Sequence, residues 1–73
     1  METYTTKYHK NGDIYSYLNN KLHSMCAPAI VYKNGTKIWY RNGLRHRDVG
    51  PAIEEANGRK YWYINGKLIK QEN

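Results

Sequence analysis

The sequence has no phenylalanine, a single cysteine and two prolines, and each scarcity narrows what the chain can be. Without phenylalanine, the aromatic content rests on eight tyrosines and two tryptophans. A buried tyrosine must find a partner for its hydroxyl, whereas an interfacial ring uses both its apolar body and its polar tip. The lone cysteine, Cys26, excludes a disulfide within the chain and predicts a reduced thiol in the cytoplasm. No run approaches the roughly 18 apolar residues of a spanning helix, and no charged-then-apolar leader opens the sequence. The expectation is one soluble domain, 1–73, for which a membrane is not the anticipated partner.

Acids are also scarce. Six Asp and Glu face twelve Lys and Arg, for a net charge of +6. Lys33, Lys37, Arg41, Arg45 and Arg47 follow one another with no acid between them. This balance excludes mimicry of DNA, which needs an acidic surface, and favours phosphate or an acidic protein as partner. A chain of 73 residues buries only about 60–65% of its unfolded surface. With no disulfide to help, a second copy is the expected support, giving a homodimer.

The chain repeats itself every 23 residues. Asn-Gly stands at 11–12, 34–35 and 57–58, a second Asn-led pair at 19–20, 42–43 and 65–66, Trp-Tyr at 39–40 and 62–63, and Pro-Ala-Ile at 28–30 and 51–53. This divides the domain into repeats 8–30, 31–53 and 54–73, after an N-terminal extension 1–7. Such a period marks stacked units that bury apolar surface only against their neighbours. Asn-Gly supplies the two positive-φ positions of a type I′ hairpin turn, and no run sustains the i, i+3, i+4 spacing of a helix. The fold class is therefore all-β: an antiparallel β-meander of three units. Nine strands are predicted, over 3–10, 13–18, 21–24, 28–33, 36–41, 44–47, 51–56, 59–64 and 67–70.

If the Asn-Gly turns are two-residue loops, cross-strand pairs can be counted outward from them. One face then collects Ile30, Trp39, Leu44, His46, Ile53, Trp62, Ile64 and Ile69, and is taken as the packed one. The other collects Tyr8, Tyr15, Tyr17, Val31, Ile38, Tyr40, Tyr61, Tyr63 and Leu68. Glu55 falls opposite Lys60. A single sheet of this size is too small to form two layers, so it must curl or pair with another copy.

The string W-Y-x-N-G-x-x-H-R-x-x-G-P-A, read from Trp39 to Ala52 and begun again at Trp62, resembles the repeat of a MORN-related family found in phage, giant-virus and bacterial proteins. The resemblance covers 8–73 and departs at Ser16, Asn20 and Ala27 and from Ile69 onward. It implies MORN-like hairpins stacked into one curled sheet used for binding, and some bacterial relatives are described as antitoxin components.

Chemistry finds little support. His23 and His46 share a repeat position that Ile69 fills in the third unit, which argues for packing. No zinc-type Cys/His spacing or paired carboxylates occur, so neither metal nor cofactor is expected. Cys26 aligns with Val49 and reads as an apolar filler. The expected function is a non-enzymatic protein-interaction module: a small phage-encoded inhibitor of a host defence protein, of the anti-CRISPR type, acting in the host cytoplasm on a partner with an acidic or nucleic-acid-binding surface. The alternative is a basic, tyrosine-rich nucleic-acid-binding protein. Under either reading the binding residues are Tyr15, Tyr17, Lys37, Tyr40, Arg41, Arg45, Arg47, Tyr61 and Tyr63, since Tyr and Arg dominate interfaces and aromatic rings stack on unpaired bases.

Overall fold

The computed structural model describes residues 2–24 and 26–73, and within them the chain is all-β with every strand pairing antiparallel. The strands are β1 (Tyr4–Tyr8), β2 (Ile14–Leu18), β3 (Lys21–Leu22), β4 (Ile30–Val31), β5 (Lys37–Ile38), β6 (Tyr40–Arg41), β7 (Leu44–Arg45), β8 (Ile53–Glu54), β9 (Lys60–Ile64) and β10 (Lys67–Glu72). Seven run in the order β1-β2-β4-β5-β8-β9-β10, β3 joins the same sheet on β2, and β6 with β7 makes a separate ribbon. The strand predicted over 36–41 is interrupted at Trp39, whose N–H donates to the Ala52 carbonyl at 2.7 Å. That break divides β5 from β6.

Two kinds of turn alternate along the chain, although both are built on asparagine. At Asn42-Gly43 and Asn65-Gly66 both residues have positive φ, and so do Asn19 and Asn20. These are the type I′ pairs that a two-residue hairpin demands. At Gly12, Gly35 and Gly58 only the glycine is left-handed. There the Gly12 N–H donates to the His9 carbonyl at 3.0 Å and the His9 N–H to the Asp13 carbonyl at 2.9 Å, a pattern repeated at 32–36 and 55–59. This is the three-residue loop, a type I turn closed by a left-handed glycine. The Asn side chain locks it: Oδ1 of Asn11, Asn34 and Asn57 accepts the N–H of Asp13, Thr36 and Arg59 at 3.0, 2.9 and 3.0 Å.

The extra loop residue moves the register by one, and a one-residue slip transfers a strand's side chains to the opposite face. Ile30 pairs with Ile38, not Trp39; Ile38 with Ile53; Ile53 with Tyr61, not Trp62. Tyr15 lies opposite Ile30. The isoleucines therefore share a face with the tyrosines, and this is the packed face. Ile30, Ile38 and Ile53 form the buried cluster, with Tyr15, Leu22, Tyr32, Tyr40, Tyr61 and Tyr63 half-buried against it. The tryptophans take the opposite face, where Trp39 and Trp62 are half-buried under Arg47 at 3.8 Å and Lys70 at 4.7 Å from the ring centroids. Glu54, rather than Glu55, pairs with Lys60. With Lys37 and Glu72 it completes a cross-strand row of alternating charge, Lys37–Glu54–Lys60–Glu72. Opposite charges across strands are mildly stabilising, and the row makes this face polar.

Successive units are joined by a repeated clasp. The Gly43 N–H donates to the Leu22 carbonyl at 2.8 Å and the Ser24 N–H to the Tyr40 carbonyl at 3.2 Å; 23 residues on, Gly66 donates to Arg45 and Arg47 to Tyr63 at 2.7 and 3.3 Å. Between each pair of bonds sits a buried histidine. Nδ1 of His23 accepts the Asn42 N–H at 3.0 Å and Nδ1 of His46 accepts the Asn65 N–H at 2.9 Å. An imidazole that accepts at Nδ1 carries its proton on Nε2. For His46 that proton has a destination, Asp48 Oδ1 at 2.7 Å. The His23 Nε2 is buried without a partner among the described residues, and the residue 23 places before Asp48 in the sequence is Met25, which supplies no carboxylate.

The result is a slab with extents of 37 × 27 × 15 Å. Its apolar interior is thin, with Leu18, Ala29, Ala52 and the three isoleucines as the buried apolar residues among those described.

Candidate interaction surface

The nine sequence-predicted binding residues divide between two faces. Tyr17 pairs with Leu22, Tyr40 with Arg45, and Tyr63 with Leu68. The clasps described above bring these three hairpins edge to edge. The pairs Tyr17–Leu22, Tyr40–Arg45 and Tyr63–Leu68 thus follow one another from hairpin to hairpin, stepped along the strands because Leu22 meets Gly43 and Tyr40 meets Ser24 at the first clasp, and Arg45 meets Gly66 and Tyr63 meets Arg47 at the second. Tyr15 and Tyr61 lie beside them on the isoleucine row. All five tyrosines are half-buried, and Arg45 is exposed.

Two cations rest on this face. Lys7 Nζ stands 5.4 Å from the Tyr17 ring centroid, and Arg45 Cζ stands 5.4 Å from that of Tyr63. Arg45 also donates from Nη1 to the Tyr63 hydroxyl at 3.4 Å. Hydrogen bonding to Tyr40, ahead of Tyr63, holds the Arg45 guanidinium further into its charged form, against a smaller opposing effect of burial. Tyr15 meets Tyr32 edge-on with centroids 6.2 Å apart. Partial burial, then Tyr32, raises the Tyr15 phenol above its ordinary range.

Lys37, Arg41 and Arg47 are placed elsewhere. Lys37 lies opposite Glu54 in the charged row. Arg41 neighbours Tyr40 and so points away from it; its Nη2 is 2.6 Å from Asp48 Oδ2. Arg47 covers Trp39 and donates from Nη1 to the Pro51 carbonyl at 3.0 Å and to Glu54 at 3.1 Å. Each of the three has an acid beside it. The continuous cationic run of the sequence is thus two surfaces in space, one with acids set among its cations and one without. No protein-family model, curated protein or solved structure matches the chain. Function must be argued from the surface itself.

Two residues of consequence escape a sequence reading. Lys7 lies outside the repeats and meets Tyr17 only because β1 pairs with β2 along its whole length. Asp48 joins Arg41 to His46, and its signal was available: its repeat counterparts, Met25 and Gln71, are uncharged. The His46 hydrogen bond first, then Arg41, holds the Asp48 carboxyl below the usual carboxylate range. A depressed carboxyl contributes stability that is present above its unfolded value, near 4, and lost as pH falls through the folded one. The D48N variant should therefore melt below the parent protein at neutral pH. The gap should close as pH is lowered beneath about 4, as thermal melts across a pH series would record; a gap independent of pH would remove the carboxylate from this role.

Cys26 is exposed and free. It borders a cavity of about 200 Å³ with Arg41, His46, Arg47 and Asp48, but these four are already bonded to one another or to the backbone and Glu54. A cleft of about 480 Å³ opens between the loops at Asn34 and Asn57. Among the described residues, no three His, Cys, Asp or Glu side chains converge as metal ligands would.

Proposed function

We propose that this protein is a non-enzymatic interaction module whose contact surface is the tyrosine face. The observation that carries the reading is the recurrence of Tyr17, Tyr40 and Tyr63, each half-exposed and each at the same place in its hairpin. Tyrosine offers large contact area at little conformational cost, and with arginine it is over-represented among the residues that dominate protein interfaces. Supporting it, the two cations of the face sit on tyrosine rings, with no acid within salt-bridge reach among the described residues. The partner is a protein with an acidic or nucleic-acid-binding surface. The resemblance to MORN-like arrays extends the proposal: three such units form one curled sheet, and the module acts as a small phage-encoded inhibitor that covers a host defence protein.

The test is a quantitative binding measurement on a partner recovered with the tagged protein. Tyr40→Ala, or Tyr63→Ala, should weaken that complex by tenfold or more, whereas Lys37→Ala and Lys60→Ala on the charged row should change it less than twofold. The reverse pattern would move the contact surface to the tryptophan face. Nucleic acid is the second reading, favoured by Lys7 and Arg45 lying on aromatic rings that could stack on bases. It requires affinity for random single strands that falls steeply with salt.

A further inference from the structure

The tyrosine face carries one charge that its scaffold does not require. Positions 31–50 of the middle unit each have two counterparts 23 residues away, which act as internal controls. Arg45 corresponds to Leu22 and Leu68, and all three lie opposite a tyrosine in the same hairpin register. An apolar side chain meets the structural need there twice. Arg41 likewise replaces Leu18 and Ile64, but Asp48, replacing Met25 and Gln71, neutralises it at 2.6 Å. Those two changes form a matched pair. Arg45 has no such match, since no acid among the described residues lies within salt-bridge reach of it.

We propose that Arg45 is the anchor for a carboxylate of an acidic protein segment laid across the tyrosine face, seated beside Tyr40 and Tyr63. The inference rests on the reading that this face is the contact surface. The guanidinium is held in place by the ring and hydroxyl of Tyr63, so little freedom is lost when it is engaged. Of its five N–H donors one reaches the Tyr63 hydroxyl at 3.4 Å and Tyr40 engages the group as well; the remaining donors belong to the planar fork that matches a carboxylate. A nucleic-acid backbone fits less well, because successive phosphates need a run of cations. The second cation of the face, Lys7, lies on Tyr17, about 20 Å away across four strand spacings.

The experiment uses the intact chain and two probes, a random copolymer of glutamate and tyrosine and an oligothymidylate, with binding read by fluorescence anisotropy. Arg45→Leu should lower affinity for the copolymer by at least tenfold while leaving the melting temperature unchanged or raised, since leucine serves at both counterpart positions. Lys67→Gln, which removes an equal charge from an exposed position that alternation places on the opposite face, should change affinity less than twofold. Equal losses in the two variants would reduce the effect to net charge and overturn the proposal. So would tighter binding of the oligothymidylate than of the copolymer, or no binding of the copolymer by the parent protein. If Arg45→Leu keeps full affinity and Tyr40→Ala abolishes it, the anchor falls and the contact surface stands.

Discussion

Replacing Ile38 by alanine is expected to destabilise the protein by about 2–5 kcal/mol, the range for large-to-small changes in a packed core. Ile38 is the middle member of the buried row, with Ile30 on one side and Ile53 on the other. The slab has no second layer to relax into the vacated space. A domain of 73 residues has a total stability of only about 4–11 kcal/mol, so a substantial unfolded population should appear in urea titrations near neutral pH. Trp62→Ala, by contrast, removes a half-exposed ring that shields the stem of Lys70. It should be the milder change, although the sequence alone places Trp62 on the packed face. A larger loss from Trp62→Ala than from Ile38→Ala would reverse the face assignment.

The second large effect is expected at the junction between units. In a His46→Leu variant the Asn65 N–H loses its acceptor, and Asp48 loses one of its two partners. Asn65 is exposed and the bond is only partly buried, so water can replace the lost acceptor and the cost is about 0.5–1.5 kcal/mol. His23→Leu strands the Asn42 N–H in the same way, but it also removes the buried Nε2–H that has no partner. Its net loss should be smaller. Thermal melts of the two variants give the comparison, and hydrogen exchange at Asn65 and Asn42 localises it. Equal losses would mean that the bond from His46 to Asp48 adds nothing.

These two expectations mark where the sequence was legible. The 23-residue period, the antiparallel hairpins and the absence of helix among the described residues follow from the placement of Asn-Gly and from β-rich runs too short for a helix. What the pattern could not decide was loop length. Asn-Gly serves a two-residue type I′ turn, as at Asn42-Gly43, and equally a three-residue loop in which only the glycine is left-handed, as at Asn34-Gly35. The dipeptide is the same, yet the choice exchanges Ile30, Ile53 and Val31 between faces. The tell was Ile30, Ile38 and Ile53 themselves: only the longer loop brings all three to one side. Of the proposed contact residues, Tyr15, Tyr17, Tyr40, Tyr61 and Tyr63 could be grouped from alternation, and Arg45 joins them because its loop is the two-residue kind. Arg41 was grouped with it by proximity in sequence, which takes no notice of the alternation that turns the neighbour of Tyr40 away; Arg47 stands two places on from Arg45, but it lies beyond the end of β7 and folds over Trp39.

The clasp also sets a unit of length for change in this chain. Every inter-unit bond joins residues at a fixed separation: His23 to Asn42 and His46 to Asn65, Leu22 to Gly43 and Arg45 to Gly66. Gain or loss of a full 23-residue block carries each donor to an equivalent acceptor and leaves the isoleucine row on its own side. Adding or losing one residue within a strand sends the isoleucines to the charged row and breaks the clasp at once. Insertion of a whole 23-residue block is therefore expected to preserve the fold where a single residue added within a strand destroys it.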